Sequence, residues 1–403
     1  MGATAATRHQ TFSAGVVGSH STRLDHLMLG RIRDSVGEAP IRFLLWDGFE
    51  FCPADEAVAT IEFRNRRALY SWVWDADLNF GETYMFGAVD IRGDLVALLE
   101  AIYRRTDAPS PWRRWQWPNT RAAARGNVHH HYDLGNAFYR LWLDRQMLYT
   151  CAYFPTPEAT LEEAQTAKMD LVCNKLRLQP GDRVLEAGCG WGALALHMAR
   201  HYGVTVKAFN VSAEQIAFAR EEARAAHLDG RVEFIEDDYR NVSGRHDAFV
   251  SVGMLEHVGL AEFGAFSQVM DRAMTDRGRG LLHFIGRNKP APLNPWIQKR
   301  IFPGAYPPTL GEVCERVLEP AGLSVLDVEN LRLHYALTLK HWRSRFEQSS
   351  ERVRAMFDEP FVRAWRLYLA GSEAAFTTGW MQLFQIVVAR ASSNAIPWTR
   401  VSG

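Results

Sequence analysis

The sequence predicts an α/β fold, in which a Rossmann-like and mostly parallel sheet with helical insertions follows a small N-terminal α+β domain. Strand and helix patterns alternate regularly after about residue 160, which is typical of a sheet wound on both sides. A glycine-rich turn directly follows the first strand of that series. Before residue 108, strand and helix patterns occur without this regular alternation. A chain of 403 residues also exceeds what one hydrophobic core usually supports, which indicates more than one domain.

Five segments are predicted along the chain. Residues 1–22 are rich in Ala, Ser, Thr and Gly without periodicity, which indicates a loose tail. A small α+β domain is expected over 23–107, with strands at 41–46 and 59–63 and a helix over 95–105. A linker (108–127), a larger α/β domain (128–395) and a short tail (396–403) complete the chain.

The predicted linker is unusual because it combines tryptophan, arginine and proline. Its aromatic and basic residues are Trp112, Trp115, Trp117, Arg113, Arg114, Arg121 and Arg125. One interpretation is that the tryptophans hold the linker against a neighbouring domain. The other is contact with a bilayer, where amphipathic rings lie at headgroup level and guanidinium groups meet phosphates.

Within the larger domain, a capping-box pattern at 160–163 predicts a helix to about Leu176. Insertions are expected at about 286–308 and 330–377. The predicted strands are 183–187, 204–209, 232–235, 248–252, 280–285, 323–328 and 383–389.

Composition excludes several classes of protein. With 46 basic and 46 acidic residues, no global field attracts the chain to nucleic acid. Five scattered cysteines suggest neither a disulfide framework nor a metal site, and hence a reducing compartment. No stretch resembles a signal peptide or a membrane span, so a cytoplasmic protein is expected.

The glycine-rich turn is the first feature that points to a ligand. Residues 184–192 read VLEAGCGWG, an apolar strand running into a turn that precedes a helix. Glycine allows close backbone approach, and the helix N-terminus offers free N–H groups. The turn resembles the first motif of class I methyltransferases, E/D-x-G-x-G-x-G, and this resemblance implies S-adenosylmethionine as cofactor.

The next strands supply further candidates for binding that cofactor. Many class I methyltransferases place an acidic residue after the second strand to hold the ribose, and this chain has none there. Asn210 and Gln215 are the nearest substitutes, although residues 212–215 also read as an ordinary capping box. The full predicted set is Tyr149, Thr150, Gly188, Gly190, Asn210, Ser212, Gln215, Asp238 and Tyr239.

Several longer segments resemble the cyclopropane-fatty-acid synthase family, in order, from about residue 127 to 390. They are HHYDLGN (130–136), YTCAYF (149–154), GMLEHVG (253–259), LHFIG (282–286), IFPG (301–304) and LHYALT (333–338). In that family a bicarbonate ion is the catalytic base. The resemblance implies that it is held by Glu256, His283, Tyr335 and the backbone N–H groups of Cys151 and Ile285.

Each of these residues also has an ordinary structural interpretation. A single glutamate after a strand is usually solvated, a histidine within an apolar strand is usually a core residue, and Cys151 is an acceptable core filler. Their joint occurrence in matching contexts favours the functional interpretation. The aromatic rings of Tyr153, Phe154 and Phe284 are candidates for stabilising a carbocation on the substrate.

The resemblance implies an enzyme that adds a methyl-derived carbon to the double bond of an unsaturated phospholipid acyl chain. Residues 290–308 and 361–376 are candidates for the walls of a tunnel for that chain, or alternatively for a buried helix pair. Peripheral association with the inner face of the membrane and a homodimer are further expectations. The alternatives are an N-methyltransferase of a small amine and a catalytically inactive lipid-binding protein.

Overall fold

The computed structural model describes residues 20–37, 39–52, 56–105 and 134–397. The chain divides into two compact units, and the first combines the residues up to Thr106 with Arg354–Leu367. No sequence pattern indicated that this late segment would join the N-terminal residues. Most of the predicted N-terminal tail, the whole predicted linker and residues 130–133 lie outside the described residues.

The first unit contains a four-stranded sheet in the order β2-β1-β3-β4, where only β1 and β3 are parallel. Alternate residues of β1, Ile41 and Phe43, are buried in the core beside Phe63 and Leu69. The strands are β1 (Ile41–Leu44), β2 (Glu50–Phe51), β3 (Ala59–Phe63) and β4 (Val89–Gly93). The helices are α1 (Arg23–Val36), α2 (Arg66–Trp74), α3 (Ala76–Met85) and α4 (Leu95–Tyr103).

The second unit contains a seven-stranded sheet in the order β10-β11-β9-β8-β5-β6-β7. β5 to β9 pair in parallel, whereas β11 is antiparallel to both of its neighbours. All seven strands predicted for this sheet are confirmed. They are β5 (Arg183–Ala187), β6 (Thr205–Asn210), β7 (Val232–Glu236), β8 (His246–Val252), β9 (Met274–Gly286), β10 (Leu323–Asn330) and β11 (Gln382–Arg390).

Helices cover both faces of this sheet. Ala248 and Val250 of β8 belong to one apolar cluster, whereas Phe249 between them belongs to another on the opposite face. No helix among the described residues has both the length and the apolar composition that crossing a membrane requires. The helices after the linker are α5 (Asn136–Tyr139), α6 (Leu161–Leu176), α7 (Ala193–Tyr202), α8 (Ala213–Ala225), α9 (Leu255–Val258), α10 (Phe263–Ala273), α11 (Pro295–Arg300), α12 (Leu310–Val313), α13 (Arg332–Gln348), α14 (Ser350–Met356) and α15 (Glu359–Thr378).

The two predicted capping boxes have different outcomes. At α6 the box is complete, because Thr160 Oγ1 accepts from the N–H of Glu163 at 3.3 Å and Glu163 Oε2 accepts from the N–H of Thr160 at 2.8 Å. At α8, Ser212 Oγ accepts from the N–H of Gln215 at 3.3 Å, but the reciprocal bond of the predicted box is replaced. The N–H of Ser212 donates to Asn210 Oδ1, which leaves the Gln215 side chain for another partner.

Two glycines of the turn after β5 predict different effects on stability. A Cβ at Gly192, whose φ is +87°, would meet the Phe234 ring at 2.6 Å and Ala219 Cβ at 2.8 Å. Gly192→Ala should therefore lower the free energy of unfolding by about 2–4 kcal/mol through overpacking and left-handed strain. A Cβ added at Gly190 would have no atom within 4 Å. Gly190→Ala should therefore lower the free energy of unfolding through left-handed backbone strain alone, by about 1–2 kcal/mol. Equal melting temperatures for the two variants would contradict this account.

Candidate active site

A cavity opens at the carboxyl ends of the parallel strands β5, β6 and β8. Ligands of open α/β sheets bind at this edge, because the loops after neighbouring strands diverge there. Both polar and apolar residues wall the cavity, which is typical of a ligand-binding site. The lining residues that bear on its chemistry are Tyr149, Thr150, Lys168, Glu186, Gly188, Gly190, Trp191, Asn210, Gln215, Asp237, Asp238, Tyr239, Arg240, Met254 and His257.

The glycine turn forms one wall of the cavity. Gly188 has φ +83°, and a Cβ there would lie 2.9 Å from the Met254 sulfur. Gly190 has φ +53°, and a Cβ added there would have no atom within 4 Å. The turn therefore packs tightly against the loop after β8 at Gly188, while at Gly190 its backbone is accessible to a ligand. The N-terminus of α7 follows at Ala193, which also lines the cavity.

The amides of Asn210 and Gln215 lie together at the end of β6. Asn210 Nδ2 donates to Gln215 Oε1 at 2.7 Å and to the carbonyl of Gly190 at 3.2 Å. This pair occupies the position where the sequence lacks an acidic residue, and it leaves Gln215 Nε2 to donate to a ligand. Ser212, which was predicted to bind the cofactor, is fully buried and is not part of the lining, because its hydroxyl is used to cap α8.

The loop after β7 presents Asp238 and Tyr239 to the cavity, as the sequence indicated. Asp238 is already engaged, because Arg240 forms a two-pronged ion pair with it at 2.7 and 2.8 Å. Arg240 also donates to Glu262 at 2.7 Å and stacks over the Tyr239 ring. These carboxylates raise the pKa of the Arg240 guanidinium further above its usual range. The ion pair fixes the loop, so Tyr239 meets a ligand from a rigid support.

The segment 149–154 begins in the cavity wall, which Tyr149 and Thr150 line, and it is held by two helices. The N–H of Ala152 donates to Thr338 Oγ1 at 3.0 Å, and the N–H of Phe154 donates to His334 Nδ1 at 3.0 Å. The N–H of Tyr153 donates to the carbonyl of Ala164 in α6 at 3.0 Å. Within the described part of the chain, the N–H of Cys151 has no acceptor. The Cys151 side chain is buried, and burial raises the pKa of its thiol, so the residue is unsuited to act as a nucleophile.

Glu256 and Ile285 are in direct contact, so the N–H of Ile285 that the resemblance assigned to a bound bicarbonate donates to Glu256 in this structure. Glu256 Oε1 accepts from the N–H of Ile285 at 3.3 Å, while Oε2 has no partner among the described residues. The carboxyl group is 5% exposed, and its burial raises the pKa to about 7. Met254 lies two residues before Glu256, lines the cavity and packs on Gly188. Glu256 therefore follows directly after a segment of the cavity wall.

His283 lies on the same face of β9 as Ile285, two residues away. It is 1% exposed, and Gln385 Nε2 on β11 donates to its Nδ1 at 3.2 Å. This bond assigns the ring proton to Nε2, which has no partner among the described residues. Burial lowers the pKa of His283 to about 3, so the ring is neutral in ordinary conditions.

Tyr335 is linked to the cavity through aromatic rings. Tyr149, in the cavity wall, packs on Trp342 with 5.2 Å between ring centroids, and Trp342 packs edge-on against Tyr335 at 5.9 Å. The backbone adds a second link, because Leu331 accepts from the N–H of Tyr335 and lies 3.9 Å from Cys151 Sγ. Cys151 and Tyr335 therefore form one group, and Glu256, His283 and Ile285 form another on β9 and α9. Gly253 connects the two groups, because it packs against Thr150 and its N–H donates to the carbonyl of His283 at 2.8 Å.

The rings predicted to stabilise a cation do not line this cavity. Phe284 points to the opposite face of β9 from His283 and packs on Phe384 in the core. Tyr153 stacks on His334 at 4.7 Å, and Phe154 stacks on His341 at 5.4 Å. Strand alternation therefore directs the Phe284 ring into the core, and its predicted role stays a prediction.

Part of the first predicted insertion adjoins the Glu256 loop. The N–H of Tyr306 donates to the carbonyl of Glu256 at 2.8 Å, and Phe302 packs on His257 and on Tyr368. Burial lowers the pKa of His257, which lines the cavity, to about 4. The predicted helix over 361–376 is confirmed as part of α15.

Sequence reasoning missed two buried ionisable residues in the cavity wall, Lys168 and Glu186. Lys168 is 1% exposed and Glu186 is 2% exposed. Burial lowers the pKa of Lys168 to about 8 and raises that of Glu186 to about 8. A lysine on the apolar face of a predicted helix is a sequence signal for a buried ionisable group. Lys168 shows this signal, because it shares the apolar face of α6 with Met169 and Val172.

Comparison with known proteins identifies the family of the chain. A model of the family "Mycolic acid cyclopropane synthetase" matches residues 119–386, and a domain family of unknown function matches 32–110. A probable fatty acid methyltransferase from Pseudomonas putida is 37% identical, with 90% of this chain and 95% of that protein covered. The cyclopropane-fatty-acyl-phospholipid synthase of Escherichia coli K12 is 39% identical, with 66% and 68% covered.

Solved structures give the same result. The cyclopropane synthase MmaA2 from Mycobacterium tuberculosis has a TM-score of 0.63 and 31% identity, with 66% of this chain and 98% of that chain covered. The mycolic acid cyclopropane synthase CmaA1, solved with S-adenosylhomocysteine (SAH), has a TM-score of 0.62 and 30% identity, with 66% and 97% covered. The chain therefore belongs to the mycolic acid cyclopropane synthetase family and is an S-adenosylmethionine-dependent methyltransferase.

Proposed function

We propose that this enzyme transfers a methyl-derived carbon from S-adenosylmethionine to the double bond of an unsaturated acyl chain in a phospholipid. The product is a cyclopropane or a methyl or methylene branch, and bound bicarbonate is the base. The observation that carries the proposal is the buried pair of Glu256 and His283, each with one polar atom that has no partner among the described residues. A protein that only bound lipid would not need these groups in its interior.

The cavity fits the proposed cofactor. Gly190 leaves its backbone open to the ligand, and the first N–H groups of α7 suit the methionine carboxylate. Gln215 Nε2 and the Tyr239 ring suit the ribose and the adenine. The remaining predicted binders are Tyr149, Thr150, Gly188, Asn210 and Asp238, and all of them line the cavity. When bound, the cofactor supplies a sulfonium methyl group, which is a strong electrophile.

The proposed base site consists of groups that donate hydrogen bonds while neutral. His283 Nε2–H, the free N–H of Cys151 and the hydroxyl of Tyr335 donate to a small anion. A protonated Glu256 also donates, and its raised pKa of about 7 makes that form available near neutral pH. An anion held in this way retains an oxygen that can accept a proton from the substrate.

The path of the acyl chain is supported by the aromatic cluster beside the cavity. Tyr149, Trp342, Tyr335 and Phe376 form a continuous series of rings, with centroids 4.5–5.9 Å apart. Methyl transfer to an alkene carbon leaves a carbocation on the acyl chain, and π faces stabilise a cation in surroundings that exclude water. Loss of a proton from the added methyl closes the ring.

The N-terminal unit favours phospholipid over a carrier-bound substrate. About two thirds of this chain align with nearly the full length of the solved cyclopropane synthase chains. The remaining third of this chain therefore has no counterpart in those structures. The P. putida fatty acid methyltransferase, in contrast, is covered over 95% of its length. We propose that the additional domain and the linker bind the inner face of the membrane from the cytoplasm, and that the enzyme is a homodimer.

Incubation with isotopically labelled S-adenosylmethionine and vesicles of an unsaturated phospholipid tests the reaction. Mass spectrometry of the released acyl chains should find the label in a ring or branch at the former double bond. Its rate should fall when bicarbonate is removed from the buffer and recover when it is returned. Label transfer to small amines but not to lipid would instead favour an N-methyltransferase, and no transfer would favour an inactive lipid-binding protein.

Replacing Glu256 should separate chemistry from cofactor binding. Glu256→Gln should lower turnover by a factor on the order of 10² or more, because the amide cannot exchange a proton with a bound base. SAH affinity, measured by calorimetry, should change by less than about twofold. Wild-type turnover on vesicles would contradict the role of Glu256.

The same substitution should stabilise the protein at high pH. The folded state keeps the proton on Glu256 up to about pH 7, whereas an unfolded glutamate loses it near pH 4.5. Stability is therefore lost as pH rises through this window, by on the order of 3 kcal/mol. Glu256→Gln removes the penalty, so its melting temperature should exceed that of wild type at pH 8 and equal it at pH 4.

An exposed carboxylate provides the matched control for this prediction. Glu221 lies on the solvent side of α8, so Glu221→Gln should leave the melting temperature unchanged at both pH values. A gain for Glu256→Gln of the same size at pH 4 and pH 8 would exclude titration of Glu256 as its cause.

The linker hypothesis concerns residues outside the described part of the chain. Trp112→Ala, Trp115→Ala or Arg114→Ala should weaken binding to anionic phospholipid vesicles by about fivefold, as the loss of one interfacial contact implies. SAH affinity should not change. Co-sedimentation with vesicles measures the effect, and unchanged sedimentation would favour contact between the linker and a neighbouring domain.

A further inference from the structure

We propose that Lys168 is a positioning residue, which holds Thr150 through a buried hydrogen bond and thereby fixes the segment shared by the cofactor site and the base site. Lys168 Nζ donates to Thr150 Oγ1 at 2.8 Å. Lys168 and Thr150 both line the cavity. The next residue, Cys151, carries the N–H assigned above to the bound base.

The burial of Lys168 requires a reason. Its side chain lies on the apolar face of α6 and is 1% exposed, and a buried ammonium is strongly unfavourable unless it is compensated. Its acidic neighbours are Asp144 and Glu186, whose ionised forms favour the charged form of the lysine. Because burial has nevertheless lowered its pKa, the position is destabilising for the fold, which is typical of a residue retained for function.

Thr150 is fixed from three directions. Its hydroxyl accepts from Lys168, and its carbonyl accepts from Gln165 Nε2 at 3.0 Å. Its methyl group packs directly on Gly253 in the turn after β8, because a Cβ added at that glycine would lie only 2.7 Å from the methyl carbon. Without the ammonium, the hydroxyl loses its charged partner and the side chain is free to rotate.

The rest of the segment is supported on both sides of Thr150. Asp144, 2% exposed, accepts from the N–H of Leu148 at 2.8 Å and from that of Gln146 at 2.9 Å. Thr338 accepts from the N–H of Ala152. With both ends held by these bonds, the orientation of Tyr149 and of the Cys151 N–H depends on Thr150, which makes Lys168 the central support.

The test measures SAH affinity of the full-length protein by calorimetry. Lys168→Met, which keeps the length and removes the charge, should weaken binding about tenfold or more, as loss of a charged hydrogen bond implies. Thr150→Val should have a similar effect, whereas Thr150→Ser, which keeps the acceptor, should bind within about threefold of wild type. The double variant Lys168→Met/Thr150→Val should bind no more than about threefold more weakly than the weaker single variant.

Two controls separate positioning from general destabilisation. Lys175 lies on the same helix and pairs with Asp327 and Glu329. Lys175→Met removes this charge and should leave SAH affinity unchanged. In Lys168→Ala, added ethylammonium should restore part of the affinity, because the small cation can occupy the space of the lost side chain. A purely structural defect would not respond to the amine.

This inference rests on the proposed function only for the identity of the cofactor. SAH binding needs neither lipid nor bicarbonate, so a failure of the acyl-chain assignment leaves this measurement intact. Multiplicative effects of the two substitutions would overturn the proposal, since they would show that Lys168 does not act through Thr150. Equal affinities of Thr150→Val and Thr150→Ser would overturn it as well, even if Lys168→Met did not fold.

Discussion

Two close backbone approaches determine the geometry of this site. At Gly188 the turn after β5 packs against Met254, and at Gly253 the turn after β8 packs against the methyl of Thr150, each with less than 3.0 Å for an added Cβ. Both glycines have positive φ, so neither the space nor the conformation accepts another residue. These contacts bring the cofactor turn, the loop that carries Glu256 and the segment that carries Cys151 to one edge of the sheet.

The apolar layers on both faces of the sheet allow ionisable groups to be buried at this edge. Lys168, Glu186, Glu256 and His283 are each at most 5% exposed, and burial displaces the pKa of every one of them towards the neutral form. Such groups destabilise the fold, and this effect is offset by the two large clusters that flank the sheet. Displaced pKa values concentrated in one place are typical of active sites, and they make these residues candidates for the proposed chemistry.

The sequence predicted the parallel strands well, because each is a short apolar run between helical stretches and turn residues. It did not predict that β11 lies between β9 and β10, since strand order depends on long-range packing. Asn210 and Gln215 were proposed because the acidic residue after β6 is missing, and they line the cavity. Ser212 lies outside the lining and caps α8, because a capping role and a ligand role look alike in sequence. Lys168 was missed because a lysine within a helix is normally read as solvated.

The base site was predicted by family resemblance alone, and its physical logic emerges only from burial. An arginine or a protonated histidine would bind an anion more tightly, but its charge would also lower the proton affinity of that anion. In the proposed site, His283 is kept neutral by its surroundings and offers Nε2–H as a donor, and Glu256 can donate only in its protonated form. Neutral donors orient a small anion without neutralising it, so the anion remains basic enough to remove a proton from a carbocation. The proposed site would favour a base that is bound and exchangeable over one built into a side chain, and this proposal gives a reason for the burial of the Glu256 carboxyl group.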